Sequence, residues 1–459
     1  MNILLTTSAA PKKSPFFTRE KRPPLGLGFL ISLLRNKGHN VFFIDNYLKP
    51  SNFIEEGYLQ KNKIDFVGIY SNTICYRDTL RMFNEIENLR KQKKWKGKII
   101  VGGPHTSVAL KSIPEFVDYI VQGEGEKAIE EIIEGKENKR VIRKERIQNL
   151  DALPFQPWDI FSKFPYDYTC KWLDVTPVFT MNTSRGCPFN CSFCSVGSIW
   201  GKKYTSFSAE RIIDEINHLQ KNFGAKAIYF REDNFTMNRQ RTIDFCEALY
   251  KKNMNLYWAC ETRVDSLTDE KMVKMMADGG CRAVYLGVES GSQKILDILN
   301  KGITVEQIEK AINLCNKYGI RTYCSLIVGT PGETYEDYLL SIKLMNKLEP
   351  YSYSFNVFVG IPYSPLYKYV LENNLYEYID DLGLAYLPGF DIKARFFYKK
   401  DSRAFVDYDF NKRTDLDRKF LRILRKKKLK NTFCKLLRQT IPNPIKKLLK
   451  KVNFPRNNL

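Results

Sequence analysis

Three cysteines, Cys187, Cys191 and Cys194, stand at CxxxCxxC spacing in Ser184-Arg185-Gly186-Cys187-Pro188-Phe189-Asn190-Cys191-Ser192-Phe193-Cys194. They directly follow an apolar stretch, 178–183, that reads as a strand. Thiolates are the usual ligands of iron–sulfur clusters, and a full cluster normally takes four. No fourth cysteine lies near these three. Three ligands on a four-iron cube leave one iron open, as catalytic zinc sites keep an open position that structural ones lack. Zinc itself usually takes two separated ligand pairs, and the second pair is missing. Cys75, Cys246, Cys260, Cys281, Cys315 and Cys324 are scattered singly and are expected as small buried core residues.

Such a triplet needs a scaffold, and the pattern around it supplies two. Before it, strands are expected at 2–6, 41–45, 65–71, 98–101 and 119–121, with helices at 25–35 and 76–93. This alternation predicts a doubly wound parallel sheet, which binds ligands at the carboxyl ends of its strands. A connector rich in Pro and aromatic residues follows, and it is expected to be packed, since flexible linkers are Gly/Ser-rich. Strands then recur at 178–183, 227–230, 257–260, 283–287, 322–328 and 352–359, separated by helices such as 208–221, 269–277 and 305–318. Six such units predict an open partial (β/α)6 barrel. The expected fold class is α/β: a Rossmann-like sheet over 1–141, a linker over 142–177, the partial barrel over 178–375, and a C-terminal region over 376–459 ending in a basic helical tail.

With Phe193 directly before its third cysteine, the triplet resembles that of the radical S-adenosylmethionine (SAM) superfamily. The resemblance implies a [4Fe–4S] cluster on Cys187, Cys191 and Cys194 whose open iron chelates SAM. Electron transfer would then yield methionine and a 5′-deoxyadenosyl radical, which the protein places and shields. Further segments match in order. Glu232 and Asp233 end the second barrel strand, where the family contacts the SAM amino group. Arg263 follows the third, where a bidentate fork could pair with the SAM carboxylate. Glu289 and Ser290 follow the fourth, at the place of ribose and methionine contacts. Residues 327–333 resemble the fifth-strand motif, and Asn356 opens a segment, 356–367, that resembles the one beside adenine. Phe193 completes the expected SAM contacts. Taken singly, each lone carboxylate reads more simply as a solvated loop residue or a helix cap.

The first sheet resembles the cobalamin-binding domain that precedes many such barrels. The matching pieces carry Leu25 and Gly26, Ser71 and Thr73, Gly102, Gly103 and His105, and Gly123 and Glu124. These are the expected cobalamin contacts, with glycines allowing close backbone approach. One departure matters. Cobalamin proteins that ligate cobalt through histidine carry Asp-x-His-x-x-Gly, whereas Asp45-Asn46-Tyr47-Leu48-Lys49-Pro50 has no histidine. The chain holds only His39, His105 and His218. Cobalt is therefore expected to lack a histidine ligand, and His105 reads either as a contact of the cofactor tail or as a helix-start histidine bonded to backbone. A sheet that has lost its cofactor, or that binds part of the substrate, is the alternative.

Of 459 residues, 43% are hydrophobic, but no apolar run reaches the roughly 18 residues of a membrane span. No signal peptide is read at the start. Eleven scattered cysteines do not form a secreted disulfide framework, so the reducing cytoplasm is the expected compartment. The net charge of +22 is concentrated: residues 411–459 hold seventeen Lys and Arg against two Asp. Leu429, Phe433, Leu436 and Leu437, then Ile445, Leu448, Leu449 and Val452, form apolar stripes in this tail. Basic amphipathic helices suit anionic membrane surfaces, which gives an expectation of peripheral contact at the inner face of the membrane. A solvated helix packed on the barrel is the plain reading, and nucleic acid is a rival that is not expected.

The leading expectation is a cobalamin-dependent C-methyltransferase acting on an unactivated carbon of a small-molecule or lipid substrate, supplied by a reducing electron donor. One rival keeps the cofactors but cyclises or rearranges without methyl transfer. A methylthiotransferase is a second, but those carry extra cysteine ligands in the N-terminal domain, and here the chain up to the linker's end offers only Cys75 and Cys170. A non-enzymatic scaffold with a relic barrel is a third, and the intact triplet argues against it.

Overall fold

The computed structural model describes residues 1–10, 21–380 and 383–387. The basic tail and most of the aromatic stretch 376–410 lie outside the described residues.

Six parallel strands, Asn2–Thr7, Asn40–Asp45, Phe66–Tyr70, Lys98–Gly102, Tyr119–Gln122 and Val141–Arg143, form the first sheet in the spatial order second, first, third, fourth, fifth, sixth. Both faces are covered, which is why the strands read as nearly continuous apolar runs. Ile3 and Leu5 pack on the side of the helices Leu25–Asn36 and Glu126–Ile133. Leu4 and Val67 pack on the other, against Tyr76–Lys91. Each such buried side chain contributes about 1.5–3 kcal/mol. The order reverses between the first and third strands, and such a switch point leaves a crevice beyond the strand ends.

The connector begins with an edge strand of that sheet, Val141–Arg143, three residues long and too short for any alternation to show. It then packs tightly. Leu150, Leu153, Trp158, Phe161 and Tyr166 are buried in one core that runs from Ile3 to Phe355 and joins both sheets. Tyr166 donates its hydroxyl to Asp45 Oδ2 at 2.6 Å, tying the connector to the end of a first-sheet strand.

The second sheet has six parallel strands in chain order: Val178–Met181, Ala227–Phe230, Tyr257–Arg263, Cys281–Glu289, Arg321–Val328 and Ser352–Val357. The first and last do not pair, so the barrel is open, as expected. Alternation sorts its residues. Trp258 and Cys260 join the main core, while Ala227, Tyr229, Ala259 and Ala283 face the other side, where Trp172 of the connector stacks on Tyr285. The third strand runs three residues past its expected end, so Glu261 and Arg263 are strand residues on the Ala259 face. Among the described residues no helix is long and apolar enough to cross a membrane. The six cysteines expected in the core are all buried.

Candidate active site

The first barrel strand stops at Met181, and the turn after it is held by a buried carboxylate. Glu232 accepts from the Thr183 and Ser184 backbone N–H groups, from Thr183 Oγ1 (2.9 Å) and from Arg241 Nη2 (3.3 Å). Both its oxygens are thus engaged inside the protein. Gly186 comes next, with φ +83°. A Cβ there would collide with the Lys203 carbonyl and approach Arg146 Nη1 at 2.9 Å, so the turn demands glycine.

Cys187, Cys191 and Cys194 follow, all half-buried, unlike the other described cysteines. Their loop is stitched to the barrel. Ser192 donates its N–H to Leu299 O and its hydroxyl to Ile298 O, both at 2.8 Å, and its own carbonyl accepts from Leu366 N at 2.8 Å. Asn300 Nδ2 donates to Asn190 O at 2.8 Å. Burial pushes the Cys187 and Cys194 thiols up, the latter to about 11, so a metal must displace their protons. Among the described residues no group of three His, Cys, Asp or Glu converges as ligands of a single metal ion. Each thiolate of a three-cysteine cluster site binds a different iron, and three half-open thiols on one anchored loop are the donor set such a cluster takes.

Around this loop stand several expected SAM residues. Asp233 is exposed and accepts the Gly186 backbone N–H. Arg263 lies with its guanidinium 3.6 Å from the centre of the Phe189 ring and its Nη1 3.6 Å from Cys191 Sγ. Glu289, in the left-handed region at φ +64°, forms a buried ion pair with Lys301 at 2.7 Å, and Lys301 lies 5.7 Å from the Phe193 ring centre. Phe193 itself packs against an apolar cluster with Ile295, Leu299 and Leu366. Asn356 donates to Ser325 Oγ (3.0 Å) and Leu326 O (3.2 Å), bridging the last two strands. Ser290 is fully buried, and its hydroxyl is bonded to Ser341 and to Ser292 N. Lys301 escaped the sequence reading because a single lysine after a helix carries no signal.

A cavity of about 480 Å³ lies between the strand ends of the first sheet and the barrel. Leu25, Gly26, Gly102, Gly103, Gly123 and Glu124 line it on the sheet side, and Thr180, Asn182, Arg185 and Arg231 on the barrel side. A Cβ on Gly26 or Gly123 would meet no atom within 4 Å. Thr180 Oγ1 is buried there without a hydrogen-bond partner. Open glycine faces and an orphaned hydroxyl suit a large polar cofactor entering from the sheet ends.

Ser71, Thr73 and His105 do not line this cavity. Ser71 is bonded to Thr79 at 3.0 Å. His105 is held by Thr73 Oγ1 (3.1 Å) and Ser112 Oγ (2.9 Å) and stacks on Tyr76 with ring centres 3.9 Å apart. No histidine appears among the residues lining the cavity. Glu124 does line it, but its carboxylate is committed to Ile147 N (2.6 Å), Arg185 (3.3 Å) and Arg146 (3.4 Å). Arg185, two residues before Cys187, also pairs with Glu126 at 2.6 Å. Buried ion pairs of this kind serve better as register devices than as sources of stability. Here they tie the cysteine loop to the first sheet.

Burial lowers the His105 pKa to about 4 from an ordinary 6.5. Between those values the unfolded chain takes up a proton that the folded chain refuses, so stability falls as pH drops through the window. From pH 7 to pH 5 this amounts to about 2 kcal/mol. Urea denaturation at the two pH values should show that loss in the wild type and its removal in His105→Gln.

The likenesses to known proteins agree with this geometry. Residues 19–133 match the B12 binding domain and residues 181–345 the Radical SAM superfamily. A protein of Pyrococcus horikoshii described as an uncharacterized methyltransferase is 32% identical over 376 residues, covering 77% of this chain and 79% of the relative. The anaerobic magnesium-protoporphyrin IX monomethyl ester cyclase of Rubrivivax gelatinosus is 28% identical over 379 residues, covering 75% of this chain and 66% of the relative. The cobalamin-dependent SAM radical enzyme OxsB, solved with aqua-cobalamin bound, superposes with a TM-score of 0.65 over 81% of this chain at 21% identity, a likeness of fold. This chain spans 55% of that protein's length. With the cysteine loop and the cavity at the sheet ends in place, the chain belongs to the cobalamin-binding radical SAM enzymes, whose cofactors are a [4Fe–4S] cluster, SAM and cobalamin.

Proposed function

We propose that this enzyme is a C-methyltransferase that modifies an unactivated carbon of a small molecule. The observation that carries the reading is the shared cavity: Gly26 and Gly123 open it from the cobalamin-type sheet, and Thr180, Asn182 and Arg231 line it from the barrel. A group seated on the sheet therefore faces the barrel that holds the cysteine loop. When bound, the cluster supplies the electron that cleaves one SAM, and cobalamin supplies a methyl group renewed from a second. The chain's own residues do the positioning. Cys187, Cys191 and Cys194 would hold the cluster as thiolates. Asp233, exposed beside Gly186, is the carboxylate open to the SAM amino group. The Glu289–Lys301 pair keeps the fourth-strand end rigid. Arg185 with Glu124 and Glu126 fixes the distance between the two halves.

The test is anaerobic reconstitution with iron, sulfide and cobalamin, then incubation of reduced protein with SAM bearing a deuterated methyl group and a metabolite extract. Equal formation of 5′-deoxyadenosine and S-adenosylhomocysteine, with label on a carbon of a new product, is expected. 5′-Deoxyadenosine without S-adenosylhomocysteine would mean radical cyclisation or rearrangement and sink the methyl-transfer reading.

A further inference from the structure

We infer that Arg263 sets the reduction potential of the cluster through Cys191, instead of serving as the fork for the SAM carboxylate. The inference rests on the cysteine loop holding that cluster. Arg263 is 5% exposed at the end of its strand. Its Nε–Nη2 edge, the one a carboxylate would grip, is spent on Asp265: Nε lies 3.0 Å from Oδ1 and Nη2 3.2 Å from Oδ2. Nη2 also donates to Lys301 O at 2.6 Å. The flat face of the guanidinium is covered by Phe189. What remains is Nη1, and it is aimed at Cys191 Sγ at 3.6 Å.

The other two thiols receive their hydrogen bonds from backbone: Cys187 from Phe189 N–H and Cys194 from Val196 N–H. Cys191 alone has a side-chain donor among the described residues, and the fixed charge of that donor reaches Cys187 as well. Hydrogen bonds to cluster sulfurs and local net charge both tune cluster potential. A donor draws electron density from sulfur, and a nearby positive charge favours the state holding one more electron, more so in a low-dielectric site. Arg263 therefore makes the cluster easier to reduce. Asp265 opposes part of that charge while locking the guanidinium in place, so the two residues act on the potential with opposite signs. Arg263 is a positioning residue in this scheme, acting on the reaction through the cluster.

The test is an EPR-monitored potentiometric titration of the reconstituted cluster without SAM, on the wild type, Arg263→Gln, Arg263→Lys and Asp265→Asn, with iron and sulfide quantified for each. Arg263→Gln is expected to lower the reduction equilibrium constant at least tenfold, which is about 59 mV for one electron. Arg263→Lys should fall between it and the wild type, because charge remains and the aligned N–H is lost. Asp265→Asn should shift the potential upward. Unchanged potentials in the Arg263 variants, with SAM affinity weakened at least tenfold, would return the arginine to the SAM carboxylate and overturn the inference. If the Arg263 variants fail to load iron, Asp265→Asn decides: an unchanged potential there overturns it equally. A wild type that takes up no cluster would instead refute the reading of the three cysteines.

Discussion

Cys191→Ala is expected to abolish SAM cleavage and leave the fold standing. The side chain is half-buried and lies in a loop whose shape is kept by other groups, chiefly the Ser192 backbone and hydroxyl and the Asn190 carbonyl. Removing the thiol therefore costs little packing. It removes one of three thiolates, and among the described residues no spare cysteine is open to replace it: Cys75, Cys170, Cys246, Cys260, Cys281, Cys315 and Cys324 are all buried. Formation of 5′-deoxyadenosine should fall by about a thousandfold or more, equivalent to about 4 kcal/mol of barrier. Cluster absorbance and iron content should fall with it, while thermal unfolding of the cluster-free proteins stays the same within about a degree or two. Cys324→Ala is the matched control. It empties a fully enclosed core position and should destabilise by about 1 kcal/mol with the cluster retained. A Cys191→Ala protein that still loads four irons and cleaves SAM would end the assignment.

The contrast between these two cysteines shows what was legible in the chain. Cluster ligands lie within eight residues of one another, so their spacing is a local signal, and the strand before them is an apolar run that needs no partner to be recognised. The alternation of strands and helices is local too, and both sheets were readable from it except for the edge strand Val141–Arg143, whose three residues are too few for any alternation to show. Side-chain direction after a strand end is not. Glu232 and Asp233 are neighbours, yet Glu232 turns inward to Thr183, Ser184 and Arg241 while Asp233 faces outward. The period of two that sorts strand residues has already ended there. Pairs formed across the fold leave no trace at all: Arg185 and Glu126 are 59 positions apart. Ser71, Thr73 and His105 show the same limit from the other side. They sit after strands where a ligand could approach, but each finds a neighbour inside its own domain.

Gly26→Phe is expected to expel cobalamin and spare everything else. Gly26 is the second residue of the helix Leu25–Asn36, lines the cavity, and points its missing Cβ at empty space. It is not among the glycines with positive φ, so a side chain fits the backbone without strain. Replacing a helical glycine even gains a few tenths of a kcal/mol. Neighbouring glycines would not give a clean answer. A Cβ on Gly103, at φ +105°, would stand 2.6 Å from Ser71 O, and one on Gly28 would collide with Gln156, so those substitutions damage the fold itself. A ring at Gly26 fills space that the cofactor needs. Cobalamin bound per chain after reconstitution should drop at least tenfold, a loss of about 1.4 kcal/mol or more in affinity. Iron content and cleavage of SAM to 5′-deoxyadenosine should persist, because the cysteine loop hangs on Glu232, Leu299 and Arg185, and this helix meets it through Phe29, 5.5 Å from the Arg185 guanidinium, a contact that the substitution at Gly26 leaves in place. S-Adenosylhomocysteine should disappear. That pattern would separate the two halves of the reaction along the line where the two sheets meet. Full cobalamin occupancy in Gly26→Phe would place the cofactor elsewhere and remove the shared cavity as the reason for proposing methyl transfer.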